Sequence, residues 1–462
     1  MKDICSLISS ESKLQTCESY IIAFGIILAL GIVLRLPLLS YPPQIVFDEV
    51  GFGKFVNAYG WTGKRLFDVH PPHGKLLITA AAKAGGYQGN IDFTKIGTPC
   101  AESIAPLRFL PAFAGALIPA LILTILYQIG ASLPAAFLGG FLIAFDNAFI
   151  VQSRLIGLDT ILIFFILSSL SVLLFARVLE RKRKLYFMLL SGVFAGMAVG
   201  TKFTGLAAIG LASIIMVDDL LRTDNRRNRV ILMLMLFCFL GAAAGIYFLG
   251  WGIHFKLMRL PGEGDAFFAP SGNLIMDTLR LNKIMLSANA GITATHPYSS
   301  IWWQWPMMKK PIFYWVNNGA GIYLIGNPVV WWGTGAVFAW LMGFLIFGRA
   351  RHLSKDIAAD TNPLLWIPIA GYLISILPLI PIKRPLFLYH YFPALSFSII
   401  SAIAWIDLQG FISNSSLIHQ RVSYYFVIGI CVIMSIILVP ITYGLFLLPA
   451  YQRMLGSTGF GP

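Results

Sequence analysis

Long, unbroken apolar runs recur along this chain, and they restrict its fold more than any other feature. The stretches 20–39, 105–128, 133–151, 158–178, 186–200, 203–217, 230–250, 326–348, 364–380, 388–407 and 423–448 approach or exceed the roughly 20 residues a helix needs to cross a bilayer. Lipid offers no hydrogen bonds, so a spanning segment must satisfy its own backbone, as a helix does. A transmembrane β-barrel alternates apolar and polar residues and gives no such runs. Composition agrees: 57% of the 462 residues are hydrophobic and 12% are charged, with a mean hydropathy of +0.77. An average soluble domain carries about 25% charged residues. The chain reads as an all-α polytopic membrane protein with about 11 transmembrane helices.

The net charge of +14 does not point to nucleic acid. The basic residues sit in short clusters between apolar runs, where they fix topology and meet anionic headgroups. Cys5, Cys17, Cys100, Cys238 and Cys431 show no Cys-x-x-Cys spacing, and read as neither a zinc site nor a disulfide framework. The first run is too long for a signal-peptide core and lacks a basic leader and a small-residue cleavage site, so it reads as a retained anchor.

The stretch Tyr186 to Val217 is long enough for one helix or two short ones. Arg181-Lys182-Arg183-Lys184 precedes it, and Arg222, Arg226, Arg227 and Arg229 follow it. Short Lys/Arg-rich loops stay cytoplasmic. Both clusters are cytoplasmic only if the chain crosses twice, turning near Gly200-Thr201-Lys202-Phe203-Thr204-Gly205. Arg349, Arg351 and Lys355 then fall on the same side. This threading puts the N-terminus in the cytoplasm and the C-terminus outside, with two long outer loops, 40–104 and 251–325. No linker, low-complexity tract or repeat appears, so 1–462 reads as one integrated membrane domain.

The outer side holds most of the remaining polar residues. Asp48 and Glu49 follow the first span, and a carboxylate there can take a proton from a hydroxyl; adjacent acids are also an ordinary solvated loop feature. Asp68, His70 and Lys75 lie in Phe67-Asp68-Val69-His70-Pro71-Pro72-His73-Gly74-Lys75. Arg108 opens the second span, Arg154 and Asp159 share a short outer turn, and Arg384 and His390 share another. Arginine at such turns either grips a phosphate through its planar fork or snorkels to headgroups. In the second loop His296, Tyr298, Trp302 and Trp303 offer ring faces for a sugar, or form an interfacial aromatic belt. His70, His73, His254, His296 and His390 all fall outside, but no spacing resembles a ligand set, so no metal is expected.

These residues together resemble the protein O-mannosyltransferase family, which uses the GT-C membrane glycosyltransferase architecture. The resemblance rests on Phe47-Asp48-Glu49, Gly53-Lys54, the stretch Asp68 to Lys75 and Leu107-Arg108-Phe109-Leu110-Pro111. It continues through Phe145-Asp146-Asn147, Gln152-Ser153-Arg154, Leu158-Asp159, Lys202-Phe203-Thr204-Gly205, His296-Pro297-Tyr298-Ser299-Ser300 and Phe387-Leu388-Tyr389-His390-Tyr391. These matches run in order from about 45 to 395. One departure stands out: eukaryotic members carry a MIR domain in the late loop, and 251–325 is too short for it, which resembles a prokaryotic member. Eukaryotic members work as dimers; whether this chain forms an oligomer stays open.

The resemblance implies inverting transfer of mannose from polyprenyl-phosphate (dolichyl-type) mannose to Ser or Thr hydroxyls of a translocated acceptor protein, within the lipid bilayer of a cell membrane. It implies Asp48 as base, Arg108 against the phosphate charge, and Glu49 orienting Arg108 or the acceptor. His70, Lys75, Arg154 and Arg384 are further candidates for phosphate or sugar; Asp68, Asp159, His296, Tyr298, Trp302, Trp303 and His390 would line the acceptor or sugar. No cofactor is required, since phosphate leaves well. A neighbouring reading is transfer of aminoarabinose or another sugar to a glycolipid; such enzymes share the acidic pair but tend to carry Lys-Pro-Pro where this chain has His70-Pro71-Pro72. A transporter would place ionisable residues near the bilayer midplane, whereas these cluster at one interface.

Overall fold

A computed structural model of the protein describes residues 11–293, 295–348, 363–412 and 418–447. Among them, nine helices are long and apolar enough to cross a membrane, or ten if the bent pair Leu133–Ala144 and Asn147–Ser153 counts as one span; Pro363–Leu379 is a shorter apolar helix. Each expected run falls on one of these elements. The ambiguous stretch forms two helices, α8 (Arg181–Thr201) and α9 (Leu206–Leu221), joined by a 3-10 turn at Phe203–Gly205. Arg349, Arg351 and Lys355 lie outside the described residues.

In chain order, α1 is Glu11–Arg35, α2 Glu49–Asn57, α3 His73–Ala84, α4 Ala105–Ile129, α5 Leu133–Ala144, α6 Asn147–Ser153 and α7 Asp159–Arg177. After α8 and α9 come α10 (Arg226–Leu257), α11 (Leu274–Gly291), the antiparallel hairpin β1 (Ile312–Asn317) and β2 (Ala320–Leu324), α12 (Thr334–Gly343), α13 (Pro363–Ile376), α14 (Phe392–Leu408), α15 (Ile418–Ile437) and α16 (Val439–Tyr443). Among the described residues the fold is thus helical apart from one two-stranded hairpin. At 1.5 Å per residue, α10 is about 48 Å long and overshoots the roughly 30 Å hydrocarbon core. The first residues of 251–325 are therefore helical.

The outer helices meet lipid with their apolar sides, and the middle of the bundle is packed. About four-fifths of the best window of α7 and of Leu388–Leu408 is buried, against 17% for the first span and 11% for Gln420–Ile437. Helix ends are closed by short polar side chains. The Asp146 carboxylate accepts from Phe149 N at 3.0 Å, and Asn225 accepts from Arg227 N at 2.9 Å. Among the cysteines, Cys100, Cys238 and Cys431 are free, but Cys17 is disulfide-bonded, a pairing that the spacing reading did not anticipate.

Contacts between chain ends show how the bundle is threaded. The start of α4 meets the segment after α1 through Arg108, and the end of α8 meets the start of α7 through Lys202 and Asp159. His73 in α3 bonds Ile246 O late in α10, and Tyr443 OH donates to Leu34 O at 2.7 Å. Successive helices therefore run in alternating directions, with one set of ends gathered around residues 35–49, 154–159, 202 and 384–390. The N-terminal end of α1 lies away from this gathering, and α16 lies at it.

Candidate active site

The approach to the site is built by three arginines that close off bare carbonyls. At the end of a helix the last carbonyls lack partners, and inside a membrane no water supplies them. Arg35 donates to Ile143 O and Ala144 O at 3.1 and 3.2 Å, finishing α5. Arg154 donates to Arg35 O, Pro37 O and Leu38 O at 2.6–3.0 Å, finishing α1, and lies over the Tyr443 ring. Arg108 donates from Nη1 to Leu39 O and Pro42 O and from Nη2 to Gln44 O, at 3.0–3.1 Å.

Arg108 also forms a fork with Glu49: Nε to Oε1 at 2.7 Å and Nη2 to Oε2 at 2.9 Å, with both side chains fully buried. Every N–H of this guanidinium is thereby used within the protein. Glu49 in turn accepts from Val46 N and Ile156 N. The expected pairing of Glu49 with Arg108 is present. A direct Arg108–phosphate contact would require one of these bonds to break, and Arg154 is likewise committed to the end of α1. The geometry makes both arginines scaffolding for residues 35–49.

That scaffold ends at Asp48. Phe47 has φ +42°, the left-handed region a phenylalanine rarely adopts, and this turns the chain into α2. Its ring stacks on Tyr314 at 4.2 Å, which holds the turn. Asp48 stands at the head of α2 without a capping bond, and its carboxylate has no hydrogen-bond or ion-pair partner among the described residues. Water reaches it from one side, and protein encloses it on the others. Enclosure pushes its pKa up to about 7; Lys202 nearby pulls against this, while Asp159 and Asp68 add to it. A free carboxylate with a pKa near neutrality suits a general base.

Beside it lies a cavity of about 450 Å³ with a polar side formed by His70, Asp159, Lys202, Lys383, Arg384 and His390. Its other walls are apolar, from Leu162, Phe203, Leu286, Leu379 and Ile382. Lys202 Nζ donates to Asp159 Oδ1 at 2.6 Å, and Asp159 Oδ2 accepts from Gln152 Nε2 at 2.9 Å. Tyr314 OH donates to Gln152 Oε1 at 2.5 Å, which ties this chain back to Phe47 and Asp48. Arg384 is half-buried and has no ion pair or hydrogen bond among the described residues; burial lowers its pKa. A bare guanidinium in such a place fits a phosphate ligand.

His70 opens into the same cavity, and burial holds its pKa down to about 3, so the ring is neutral at neutral pH. Lys75 pairs with Asp68 and donates to His70 O at 2.8 Å. Burial opposes the Asp68 charge, but Lys75 and His70 outweigh it and the pKa is lowered. His73 is wedged between α8 and α10, where a Cβ on Gly200 or Gly250 would come within 2.1 Å of its ring. Those two glycines exist so that the imidazole can pass, and the ring anchors α3.

Asp48, His70, Asp159, Arg384 and His390 thus meet at one place, with Asp68 and Lys75 behind His70. His296 and Tyr298 sit at the edge, His296 against Phe387 at 5.1 Å. Trp302 and Trp303 are on the surface, 39% and 49% exposed, and line no part of the cavity; the buried ring of the turn Trp302–Met307 is Trp305, which stacks near His390. Sequence reasoning treated Lys202 only as a turn residue and passed over Gln152, Tyr314 and Tyr389 as site members. A lysine in a short turn between two spans was the available signal, of the same kind as Arg154 and Arg384.

A family profile described as "Dolichyl-phosphate-mannose-protein mannosyltransferase" matches residues 25–258, and one described as "C-terminal four TMM region of protein-O-mannosyltransferase" matches 274–455. Dolichyl-phosphate-mannose–protein mannosyltransferase 1 of Saccharomyces cerevisiae is 34% identical over 263 residues, 54% of this chain and 32% of that protein. Protein O-mannosyl-transferase 1 of Mus musculus is 33% identical over 256 residues, 51% of this chain and 33% of that protein. The chain spans about a third of the length of these curated relatives. Among solved structures, the S. cerevisiae Pmt1-Pmt2 complex bound to the sugar donor matches with a TM-score of 0.86 at 18% identity, over 94% of this chain and 91% of that chain. ArnT from Cupriavidus metallidurans in the apo state matches with a TM-score of 0.51 at 14% identity, over 96% of this chain and 73% of that one. At these identities the structural likeness is one of fold, the GT-C architecture.

Proposed function

The chain belongs to the dolichyl-phosphate-mannose-protein mannosyltransferase family, and from that premise we propose that it moves mannose from a polyprenyl-phosphate carrier to Ser or Thr hydroxyls of translocated proteins. The observation that carries this reading is Asp48, a carboxylate with no partner among the described residues and a pKa of about 7, beside a cavity that sets Arg384 against an apolar wall.

In this reading the lipid-linked donor lies in the cavity, its phosphate toward Arg384 and Lys202 and its first isoprene units against Leu162, Phe203 and Leu379. The acceptor hydroxyl approaches from the open side of Asp48. Its oxygen bonds to the anomeric carbon, its proton passes to Asp48, and the bond from that carbon to the phosphate oxygen breaks. Attack opposite the leaving group inverts the anomeric centre. The charge left on the phosphate is met by Arg384 and Lys202, an electrostatic contribution of a few kcal/mol in such sites. Glu49 and Arg108 act by holding the turn that carries Asp48. No cofactor is called for, because a phosphate leaves well. The basic clusters at 181–184 and 222–229 support an orientation with this site on the outer face and the N-terminus in the cytoplasm.

The test is transfer of labelled mannose from synthetic polyprenyl-phosphate mannose to a Ser/Thr peptide by the purified protein, with the product's anomeric configuration read by NMR. An α-linked product from a β-linked donor is expected. Transfer to a glycolipid but not to peptide would overturn the acceptor assignment.

A further inference from the structure

We propose that the end of the bundle opposite the active site binds an anionic glycerophospholipid between the first turns of α8 and α10. The two helices run parallel and touch backbone to backbone. A Cβ on Gly192 would come within 2.4 Å of Phe239 O, and one on Gly196 within 2.4 Å of Ala243 O. Met188 and Met235 continue the seam, both buried. Toward the N-termini neither helix carries a small residue in this seam. The result is an open groove of about 570 Å³ lined by Arg181, Arg226, Arg227, Val230, Ile231 and Leu234.

The composition of this groove selects its occupant. Three arginines ring one end, and among the described residues none has an ion pair or a hydrogen bond from its guanidinium. Asp218 and Asp219 are taken by Arg222 and Arg177. Lys182, Arg183 and Arg229 stand close by. Both helices present their N-terminal, partially positive ends here, which adds to the attraction for an anion. The other end is aliphatic and faces the hydrocarbon layer, with Val230 and Leu234 exposed. A soluble anion would leave that wall wet, and a neutral lipid would leave the arginines unmet. A glycerophospholipid with net negative charge satisfies both: its phosphate takes the guanidinium forks, and an acyl chain lies along Val230, Ile231 and Leu234. Topology control alone needs only the number of basic residues, and their convergence on a groove goes beyond it.

The experiment is native mass spectrometry of the intact protein titrated with phosphatidylglycerol or phosphatidylcholine. Selective retention of phosphatidylglycerol is expected, falling at least about tenfold in R226Q/R227Q. K182Q/R183Q removes the same charge just outside the groove and should change retention less than about twofold. Equal losses in both variants would reduce the effect to a diffuse field, and unchanged retention in R226Q/R227Q would remove the site; either overturns the proposal. Competition by inorganic phosphate or glycerophosphoglycerol at equal concentration would also overturn it, since the acyl chain would then contribute nothing. Should R226Q/R227Q misfold, R181Q alone carries the same test. Mannosyl transfer plays no part in these readouts.

Discussion

Glu49 and Arg108, 59 positions apart in sequence, form a two-bond ion pair in which neither side chain reaches solvent. Removing one partner of such a pair strands the other charge, typically at a cost of about 3–5 kcal/mol. Arg108→Ala also frees three carbonyls between Leu39 and Gln44. The expected outcome is a large fall in detergent-solubilised thermal stability together with activity. Arg108→Lys should restore little of either, because an ammonium cannot reproduce the planar fork. An Arg108→Ala protein with normal melting but lost donor binding would instead return Arg108 to the phosphate.

Arg384 makes the opposite expectation. It has no partner to abandon among the described residues, so Arg384→Ala should leave the melting temperature within the small range of surface substitutions, roughly ±0.5 kcal/mol. Donor use should fall by about 10²–10³, the usual loss on removing one transition-state charge stabiliser. Arg384→Lys should recover part of it. Measuring donor binding and transfer on the same preparations separates this from a stability effect.

The threading can be checked by labelling. In an otherwise cysteine-free background, Thr62→Cys sits exposed in the loop 40–104, and Asp224→Cys sits between α9 and α10. Impermeant maleimide added outside intact cells should label the first and spare the second. Outside labelling at 224 would reverse the orientation inferred from the basic clusters.

The spans were readable because a bilayer leaves little choice: an apolar run of the right length has one stable form in lipid. The doubling of 186–217 into α8 and α9 was readable for a related reason, since two basic clusters demand an even number of crossings. The site was legible in its parts. Asp48, His70, Asp159, Arg384 and His390 were each marked as polar residues between the spans, and the structure brings the last four to one cavity with Asp48 beside it. The division of labour among the arginines was not legible. Arg35, Arg108, Arg154 and Arg384 look alike in sequence, and only the tertiary fold shows which of them face bare carbonyls at the ends of α1 and α5. Trp302 and Trp303 misled for a similar reason: an aromatic run marks an interface, and only packing decides that Trp305 turns inward.

Asp48 carries the last prediction, which joins rate, pH and stability. As the base it must be ionised, so transfer should rise tenfold per pH unit below its pKa of about 7 and level off above it. His70, with a pKa of about 3, stays neutral through this range and adds no second limb. Asp48→Asn keeps the shape and removes the proton acceptor. Transfer should drop by about 10²–10⁴ while donor binding stays close to normal, and the residual rate should lose its dependence on pH near 7. Stability gives an independent reading. The folded-state pKa lies above the unfolded carboxyl value, so Asp48 favours the fold only while protonated, and that contribution is lost as pH rises from about 4 through 7. Asp48→Asn should therefore melt at a higher temperature than the native protein at pH 8 and at nearly the same temperature at pH 4. A native-like transfer rate in Asp48→Asn would move the base to another acid, and Asp68, behind His70, would be tested first.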